Sequence, residues 1–486
     1  MRKLSDLVSG QIALPAAVGA LEISSITADS RKVVPGTMFA ALTGIKYDGA
    51  NFVTDAVAAG AIVILAAADS DIGHYQVPVL RVQDPRRELA IIASRFYGRQ
   101  PDSIVAVTGT SGKSSVVEFV RQILSGAGRT AASLGTIGLC RFDGTVSCEL
   151  TTPDPITLHA KLAELTDDGV THLSFEASSH GLDQRRLDGV NLKAAAFTNF
   201  SRDHFDYHTT LEHYLSSKLR LFDKLLPEGK SLIVNSNSPE ATRIAEIAQV
   251  RNHQLWRVGS DENATIKLDS VVSEGFAQRL KFIYDGTSYD IKLNLIGRHQ
   301  VMNALIAAAL VLALGEPTGA VMLALEKLTS VIGRLEVVEH VNGAIVVIDY
   351  AHKPEALAST LDALRPFVFG RLILVFGCGG DRDTGKRVVM GKIAEDKADI
   401  AIVTDDNPRT EDPHSIRSAI LASVPNAIDI GDRHEAIATA LDMAGSGDVI
   451  LIAGKGHETG QIIGSRTIPF ADHKTVAAIV RNLRRS

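Results

Sequence analysis

Gly109-Thr110-Ser111-Gly112-Lys113-Ser114 carries the residue types of a phosphate-binding loop. Glycines let backbone N–H groups approach phosphate oxygens, Lys113 adds positive charge, and the Ser114 hydroxyl can ligate magnesium. The standard pattern would also place a glycine where Val107 stands. A plain strand-to-helix turn is the bland alternative, disfavoured because Gly-Lys-Ser opens a helical pattern directly after an apolar run, so ATP is the leading ligand. A second constellation, Asp405-Asp406-Asn407-Pro408-Arg409-Thr410-Glu411, sets a guanidinium, an amide and carboxylates on one turn after Ile400-Ala401-Ile402-Val403. Pro408 stiffens that turn, and the planar fork of Arg409 suits a carboxylate. Such a turn can grip a zwitterion; alone, it reads equally well as a tight turn.

Glu176 ends the run Leu173-Ser174-Phe175 and precedes Ser178-Ser179-His180-Gly181, which puts a carboxylate and hydroxyls at a strand end suited to a further magnesium ligand. Thr198 to His208 packs His204, His208, Asp203, Asp206 and Arg202 into one loop. Taken singly, His204 and His208 read as satisfied loop histidines; beside Glu176 and the phosphate loop, His204 becomes a metal-ligand candidate. Magnesium fits better than zinc, since no cysteine accompanies these oxygen ligands. Lys218, in Tyr214-Leu215-Ser216-Ser217-Lys218, reads by itself as an ordinary surface lysine on a helix.

The elements that must position these groups follow an α/β alternation. Up to about Pro101, short runs such as Thr37 to Leu42 and Ala61 to Leu65 are separated by Gly and Asp turns, predicting a small α/β unit. Ser103-Ile104-Val105-Ala106-Val107, the glycine turn and the amphipathic stretch Ser114 to Leu124 predict strand, phosphate loop and helix. After Ile332-Gly333-Arg334 come the apolar runs Ile345 to Ile348, Leu372 to Phe376, Ile400 to Val403 and Val449 to Ala453, with helical patterns between them. That alternation predicts a doubly wound sheet, and the polar turns after the four runs should share one crevice at the strand carboxyl ends. The expected boundaries are 1–100, 101–332 and 333–486: a small N-terminal α/β domain, a central P-loop-type ATP-binding α/β domain and a C-terminal Rossmann-like doubly wound domain.

At 486 residues the chain exceeds a single core. Hydrophobic residues at 45%, charged residues at 22% and a net charge of -6 fit a globular protein and argue against a general nucleic-acid binder. Cys140, Cys148 and Cys378 lack metal-ligand spacing and suggest a reducing compartment. Asp6, Gly10 and Pro15 interrupt any secretory core, and the run Ala304 to Leu314 is half of a bilayer span, so a cytoplasmic protein without membrane insertion is expected. A monomer is the default expectation.

Together these motifs resemble the Mur ligases, from Asp29-Ser30-Arg31 near the start to Gly454-Lys455-Gly456-His457-Glu458 near the end. Within that family the chain is similar to members that add meso-diaminopimelate to UDP-N-acetylmuramoyl-L-alanyl-D-glutamate in peptidoglycan synthesis. The family's phosphate loop has the same short form. The resemblance implies that Gly109, Thr110, Ser111, Gly112, Lys113, Ser114 and Ser115 hold ATP, with Asn303, Arg334, Asp349 and His352 on the nucleotide side. It implies magnesium ligation by Ser114, Glu176, His204 and Lys218, the last carbamylated to N6-carboxylysine, which contradicts the surface-lysine reading. Lys113, Glu176, His204 and Lys218 would be the catalytic set. Ser30, Thr151, Thr152, Ser178, Gln184 and Arg186 fall where the family meets the UDP precursor. Arg382, Asp406, Asn407, Pro408, Arg409, Gly454 and Glu458 would meet diaminopimelate, whose additional carboxylate suits the Arg409 fork.

Two departures stand out: serines follow Lys113 where many relatives have threonines, and Phe470-Ala471-Asp472-His473-Lys474 is atypical of the family's C-terminal edge. The implied reaction is ATP-dependent amide formation through an acyl phosphate, with domain closure during turnover. Alternatives are a lysine-adding Mur ligase, a folylpolyglutamate synthetase, or a nucleotide-dependent binding protein without catalysis. The Asn407-Pro408-Arg409 turn and the Asp29-Ser30-Arg31 segment favour diaminopimelate and a UDP-muramoyl precursor. The intact set of Lys113, Glu176, His204 and Lys218 argues against a lapsed enzyme.

Overall fold

Alternating strands and helices build the chain into parallel and mixed sheets, as seen in a computed structural model that describes all residues except 9, 11, 45–46, 145, 148–150, 203–206 and 485–486. Two compact units result: Met1–Lys267 with Leu305–Ala324, and Leu268–Ala304 with Leu325–Ser486.

The first unit opens on a parallel sheet ordered Ser25–Thr27, Thr37–Ala41, Ala61–Ala67, Val79–Val82. The helix Pro85–Tyr97 covers it, started by Asp84, whose side chain accepts from the Arg87 N–H, and by Pro85 in the first turn. Gly98 stops it with φ +73°. A larger sheet follows, in which Ser103–Thr108 lies between the parallel strands His172–Glu176 and Leu192–Phe197. Ala131–Gly135 flanks His172–Glu176 on one side, while Ser231–Asn235 and Gln254–Gly259 extend the other. The central strands Ser103–Thr108, His172–Glu176 and Leu192–Phe197 are almost wholly buried, leaving chemistry to the turns at their carboxyl ends.

In the second unit a sheet runs in the order Glu336–Val341, Ala344–Asp349, Val449–Ala453, Leu372–Phe376, Ile400–Val403, Ile428–Asp429. The four runs read from the sequence are its adjacent parallel core. An antiparallel edge strand, Glu336–Val341, and the short Ile428–Asp429 join them, both too polar or too short to stand out as apolar runs. Apolar clusters on both faces, Leu357, Leu361 and Met390 on one and Ile437, Leu441 and Val476 on the other, make the sheet doubly wound. Ala304 to Leu314 lies in the buried part of the helix Arg298–Ala313 and its end. Cys140 and Cys378 are buried free thiols, and Cys148 lies outside the described residues.

Candidate active site

The phosphate loop leaves the strand Ser103–Thr108 at Gly109, which has φ +147° and lies so close to Thr198 Oγ1 that no side chain fits. Gly112, at φ +82°, then caps the helix Lys113–Gly126. Segment Thr198–Asn199 braces the loop: Thr110 N–H donates to Asn199 O at 2.9 Å, Ser111 N–H to Asn199 Oδ1 at 2.9 Å, and Thr198 Oγ1 to Ser111 O at 2.6 Å. Lys113 Nζ curls back onto Gly109 O (2.9 Å) and Thr110 O (3.0 Å).

Lys218 corrects the surface-lysine expectation. It is 1% exposed, donates from Nζ to Gly109 O at 2.8 Å, and lies 4.4 Å over the Tyr214 ring. The helix Leu211–Arg220, capped by Thr210, turns its buried face of Tyr214, Ser217 and Lys218 toward the loop. Nothing in a helical pattern distinguishes such a lysine from an exposed one.

Ser114 Oγ donates to Glu176 Oε1 at 2.7 Å, and Glu176 is 2% exposed. The same carboxylate accepts from Thr136 N–H at 2.8 Å and Thr136 Oγ1 at 3.2 Å. Thr136 escaped the sequence reading; it follows a glycine that packs against Glu176, which no local pattern reveals. Its hydroxyl lies 3.0 Å from that of Thr151, and Thr152 Oγ1 donates to Glu176 O at 2.9 Å while accepting from Ser178 N–H at 3.2 Å. Precursor-side threonines and the candidate metal carboxylate thus share one hydrogen-bonded cluster. Arg186 donates to Thr152 O at 2.6 Å and to Gln184 Oε1 at 2.7 Å. Both side chains line a cleft of about 450 Å³ with Asp29, Lys32, Arg86 and Asp154. Ser30 begins the short turn Ser30–Lys32, so its neighbours Asp29 and Lys32 line the cleft instead.

His204, with Asp203, Phe205 and Asp206, lies outside the described residues. His208 is fully buried amid the rings of His180, Tyr207, His213 and Tyr214, and burial pushes its pKa down to about 4. It is a neutral core histidine.

In the second unit Asp349 ends its strand and accepts from Leu335 N–H at 2.7 Å and Thr360 Oγ1 at 3.2 Å, while burial pushes its pKa up. Arg334 lies 4.7 Å over the Tyr350 ring. His352 donates from Nδ1 to Tyr350 O at 2.8 Å, and burial lowers its pKa to about 3, so it is neutral. Asn303 donates to Gln300 Oε1 at 2.9 Å within its helix.

The four turns expected to meet do converge. Gly377 packs against Thr404 and Asp406, Gly454 (φ +108°) against Asp406, and Gly456 against Tyr350. Asp406 is buried, which raises its pKa. Asn407 Nδ2 donates to Glu458 Oε2 at 2.9 Å. Arg409 adopts φ +52°; its Nη1 donates to Gly380 O at 2.7 Å, and its N–H to Ile462 O at 3.0 Å. Gly380 must be a glycine because Pro408 O occupies the Cβ position. Arg382 is exposed at the same end. Lys455, absent from the sequence-derived set, is fully buried beneath Asn407 and Glu458. At the atypical C-terminal edge, Asp472 pairs with the buried Arg433 at 2.8 Å.

Residues 22–97 match the Mur ligase family catalytic domain, 107–311 the Mur ligase middle domain and 333–456 the Mur ligase glutamate ligase domain. A protein of Agrobacterium fabrum named UDP-N-acetylmuramoyl-L-alanyl-D-glutamate–2,6-diaminopimelate ligase is 50% identical over 472 residues, covering 96% of this chain and 95% of its own. The chain belongs to the Mur ligase family. A Bradyrhizobium diazoefficiens protein of the same name is 50% identical to this Mur ligase, with 98% of each chain covered. A solved structure of such a ligase superposes with a TM-score of 0.73 at 30% identity, covering 100% of both chains. A Mycobacterium tuberculosis folylpolyglutamate synthase shares the fold over 76% of this Mur ligase and 92% of its own chain, with a TM-score of 0.64 at 20% identity.

Proposed function

We propose that this Mur ligase joins meso-diaminopimelate to the D-glutamyl side-chain carboxylate of UDP-N-acetylmuramoyl-L-alanyl-D-glutamate, converting ATP to ADP and phosphate. The observation that carries this reading is identity of 50% along nearly the whole chain to relatives named for that activity. Domains of 1–100, 101–332 and 333–486 would take the UDP precursor, ATP and the amino acid respectively.

The precursor carboxylate attacks the γ-phosphorus, breaking its bond to the ADP oxygen and forming an acyl phosphate. The amine of the amino acid then attacks the acyl carbon, phosphate leaves, and the nitrogen loses a proton. The loop N–H groups and Lys113, released from Gly109 O and Thr110 O, hold the phosphates. Arg186, Gln184 and the Thr151-Thr152 pair orient the precursor beside them. Arg409 and Arg382 take carboxylates of the incoming amino acid, and Glu458 takes an ammonium.

The buried oxygen set of Ser114 and Glu176 suits magnesium, with His204 and carbamylated Lys218 as further ligands by resemblance. Bound there, magnesium would offset repulsion between the anionic nucleophile and the triphosphate. Asn303, Arg334, Asp349 and His352 are assigned to the nucleotide. No described helix is long and apolar enough to cross a membrane, in keeping with a cytoplasmic enzyme, and a monomer remains the working assignment.

The test is phosphate release from ATP and magnesium with the purified precursor, comparing meso-diaminopimelate with L-lysine. Release with diaminopimelate alone supports the reading. Release with lysine instead would overturn the assigned amino acid, and none with either would overturn ligation of this precursor.

A further inference from the structure

Lys455 has no route to a bound amino acid, since it is 0% exposed and spends its Nζ donors inside the protein. They reach Asn407 Oδ1 at 3.3 Å, Glu458 Oε2 at 2.9 Å and Gly460 O at 2.7 Å. Asn407 comes from the turn after Ile400–Val403, while Glu458 and Gly460 follow Lys455 on its own turn. Asn407 Oδ1 also accepts from Ile462 N–H at 2.9 Å, so two donors fix which way the amide faces and direct Nδ2 at Glu458. Both hydrogen bonds to Glu458 therefore fall on Oε2, which orients the carboxylate and leaves Oε1 for a ligand. Gly460 begins the hairpin Gly460–Ile463 with Arg466–Pro469, and that hairpin holds the Arg409 backbone: Arg409 N–H donates to Ile462 O at 3.0 Å, and Gly464 N–H to Arg409 O at 2.6 Å.

We propose that Lys455 is a specificity-determining positioning residue: from beneath the crevice it fixes the spacing between the Glu458 carboxylate and the Arg409 guanidinium, and so selects an amino acid carrying an ammonium and a second carboxylate at that separation. This deepens the ligase assignment above and rests on it. The logic is that of any site reading two charges at once. If the anchors drift independently, each charge can still be met singly, but their separation is no longer discriminated. A buried lysine suits the task because a single atom ties the Asn407 turn to residues 458–460, which lead into the hairpin, and its charge strengthens each hydrogen bond.

Three variants of the full-length enzyme test this: Lys455→Met, Glu458→Gln and the double substitution. The readouts are kcat and KM for meso-diaminopimelate, ATP and precursor, and the kcat/KM ratio of diaminopimelate to L-lysine. Lys455→Met should raise the diaminopimelate KM by about tenfold or more and lower the ratio, leaving the ATP and precursor KM within roughly twofold. The double variant should be little worse than the worse single one, because both substitutions remove the same oriented carboxylate. Lys455→Gln, which retains a donor for Glu458, should fall between wild type and Lys455→Met, and it replaces the methionine variant if that fails to fold. An unchanged diaminopimelate KM, an equal loss for all three substrates, or a multiplicative double variant would overturn the role of Lys455. Wild-type enzyme inert toward diaminopimelate would instead overturn the ligase reading together with this one.

Discussion

Gly135→Ala should disable the candidate metal carboxylate without replacing any side chain that could bind a ligand. A Cβ at Gly135 would lie 2.7 Å from Glu176 Cγ and 2.8 Å from Cδ, with Oε1 closer still, whereas ordinary contact begins at 3.4 Å. Gly135 ends the buried strand Ala131–Gly135 outside the left-handed region, so alanine costs no backbone strain there. The conflict falls on Glu176, which must retreat by about 1 Å to restore van der Waals distance. Retreat stretches the 2.7 Å hydrogen bond from Ser114 Oγ or the 2.8 Å one from Thr136 N–H. A misplacement of that size costs on the order of 10²-fold in rate, and overpacking costs about 1–3 kcal/mol of stability. Phosphate release at saturating substrates, repeated across a magnesium titration, reads the first effect, and a urea unfolding curve reads the second. The expected variant unfolds cooperatively, has kcat lowered about 10²-fold, and needs more magnesium for half-maximal rate. A variant with kcat within about threefold of wild type and unchanged magnesium dependence would refute the reasoning, since Glu176 would then tolerate displacement.

Lys218→Met keeps the aliphatic volume but removes the group that reaches Gly109 O; kcat should fall by at least about 10²-fold, and bicarbonate, expected to sustain the carbamate in wild type, should leave the variant's phosphate release unchanged. Arg409→Ala should reduce the diaminopimelate to L-lysine kcat/KM ratio by at least about 10²-fold, checked by competition between the two amino acids, because the guanidinium is the proposed partner of the additional carboxylate. Burial lowers the His159 pKa from 6.5 to about 4, so the unfolded chain takes up this proton first and stability is lost as pH falls through that window. The loss reaches about 2 kcal/mol by pH 5, and His159→Gln should show a correspondingly smaller drop in urea midpoint between pH 7 and pH 5.

The elements and the turns between them were largely legible in the sequence because an apolar run closed by glycine and polar residues is a local signal. The loop at Gly109 to Ser114 and the convergence of the four turns rest on such runs, and both follow the expected strand order. What escaped reading depends on contacts distant in sequence. Lys218 is brought to the phosphate loop through a carbonyl 109 residues away, and its helix pattern looks like that of a solvated lysine. Thr136 gains its importance from the packing of its neighbour Gly135 on Glu176. Lys455 stands in a motif already singled out at both ends, yet nothing local marks it as a fully buried lysine whose donors are spent inside the protein. The edge strand Glu336–Val341 carries glutamates and a histidine on a half-covered ladder, which hides it from a search for apolar runs.

Gly109 O accepts hydrogen bonds from both Lys113 and Lys218. Two ammonium groups drawn to a single neutral oxygen repel each other, and buried surroundings screen that repulsion poorly. Negative charge arriving at either amine would relieve the crowding: a phosphate that draws Lys113 away, or the proposed carbamate, formed when the Lys218 amine gives up its proton and adds carbon dioxide. The first negative charge to arrive would remove part of the attraction awaiting the second, so on the proposed assignment occupancy of the loop and carbamylation of the lysine would be thermodynamically linked through one carbonyl, each altering the equilibrium of the other by the same factor.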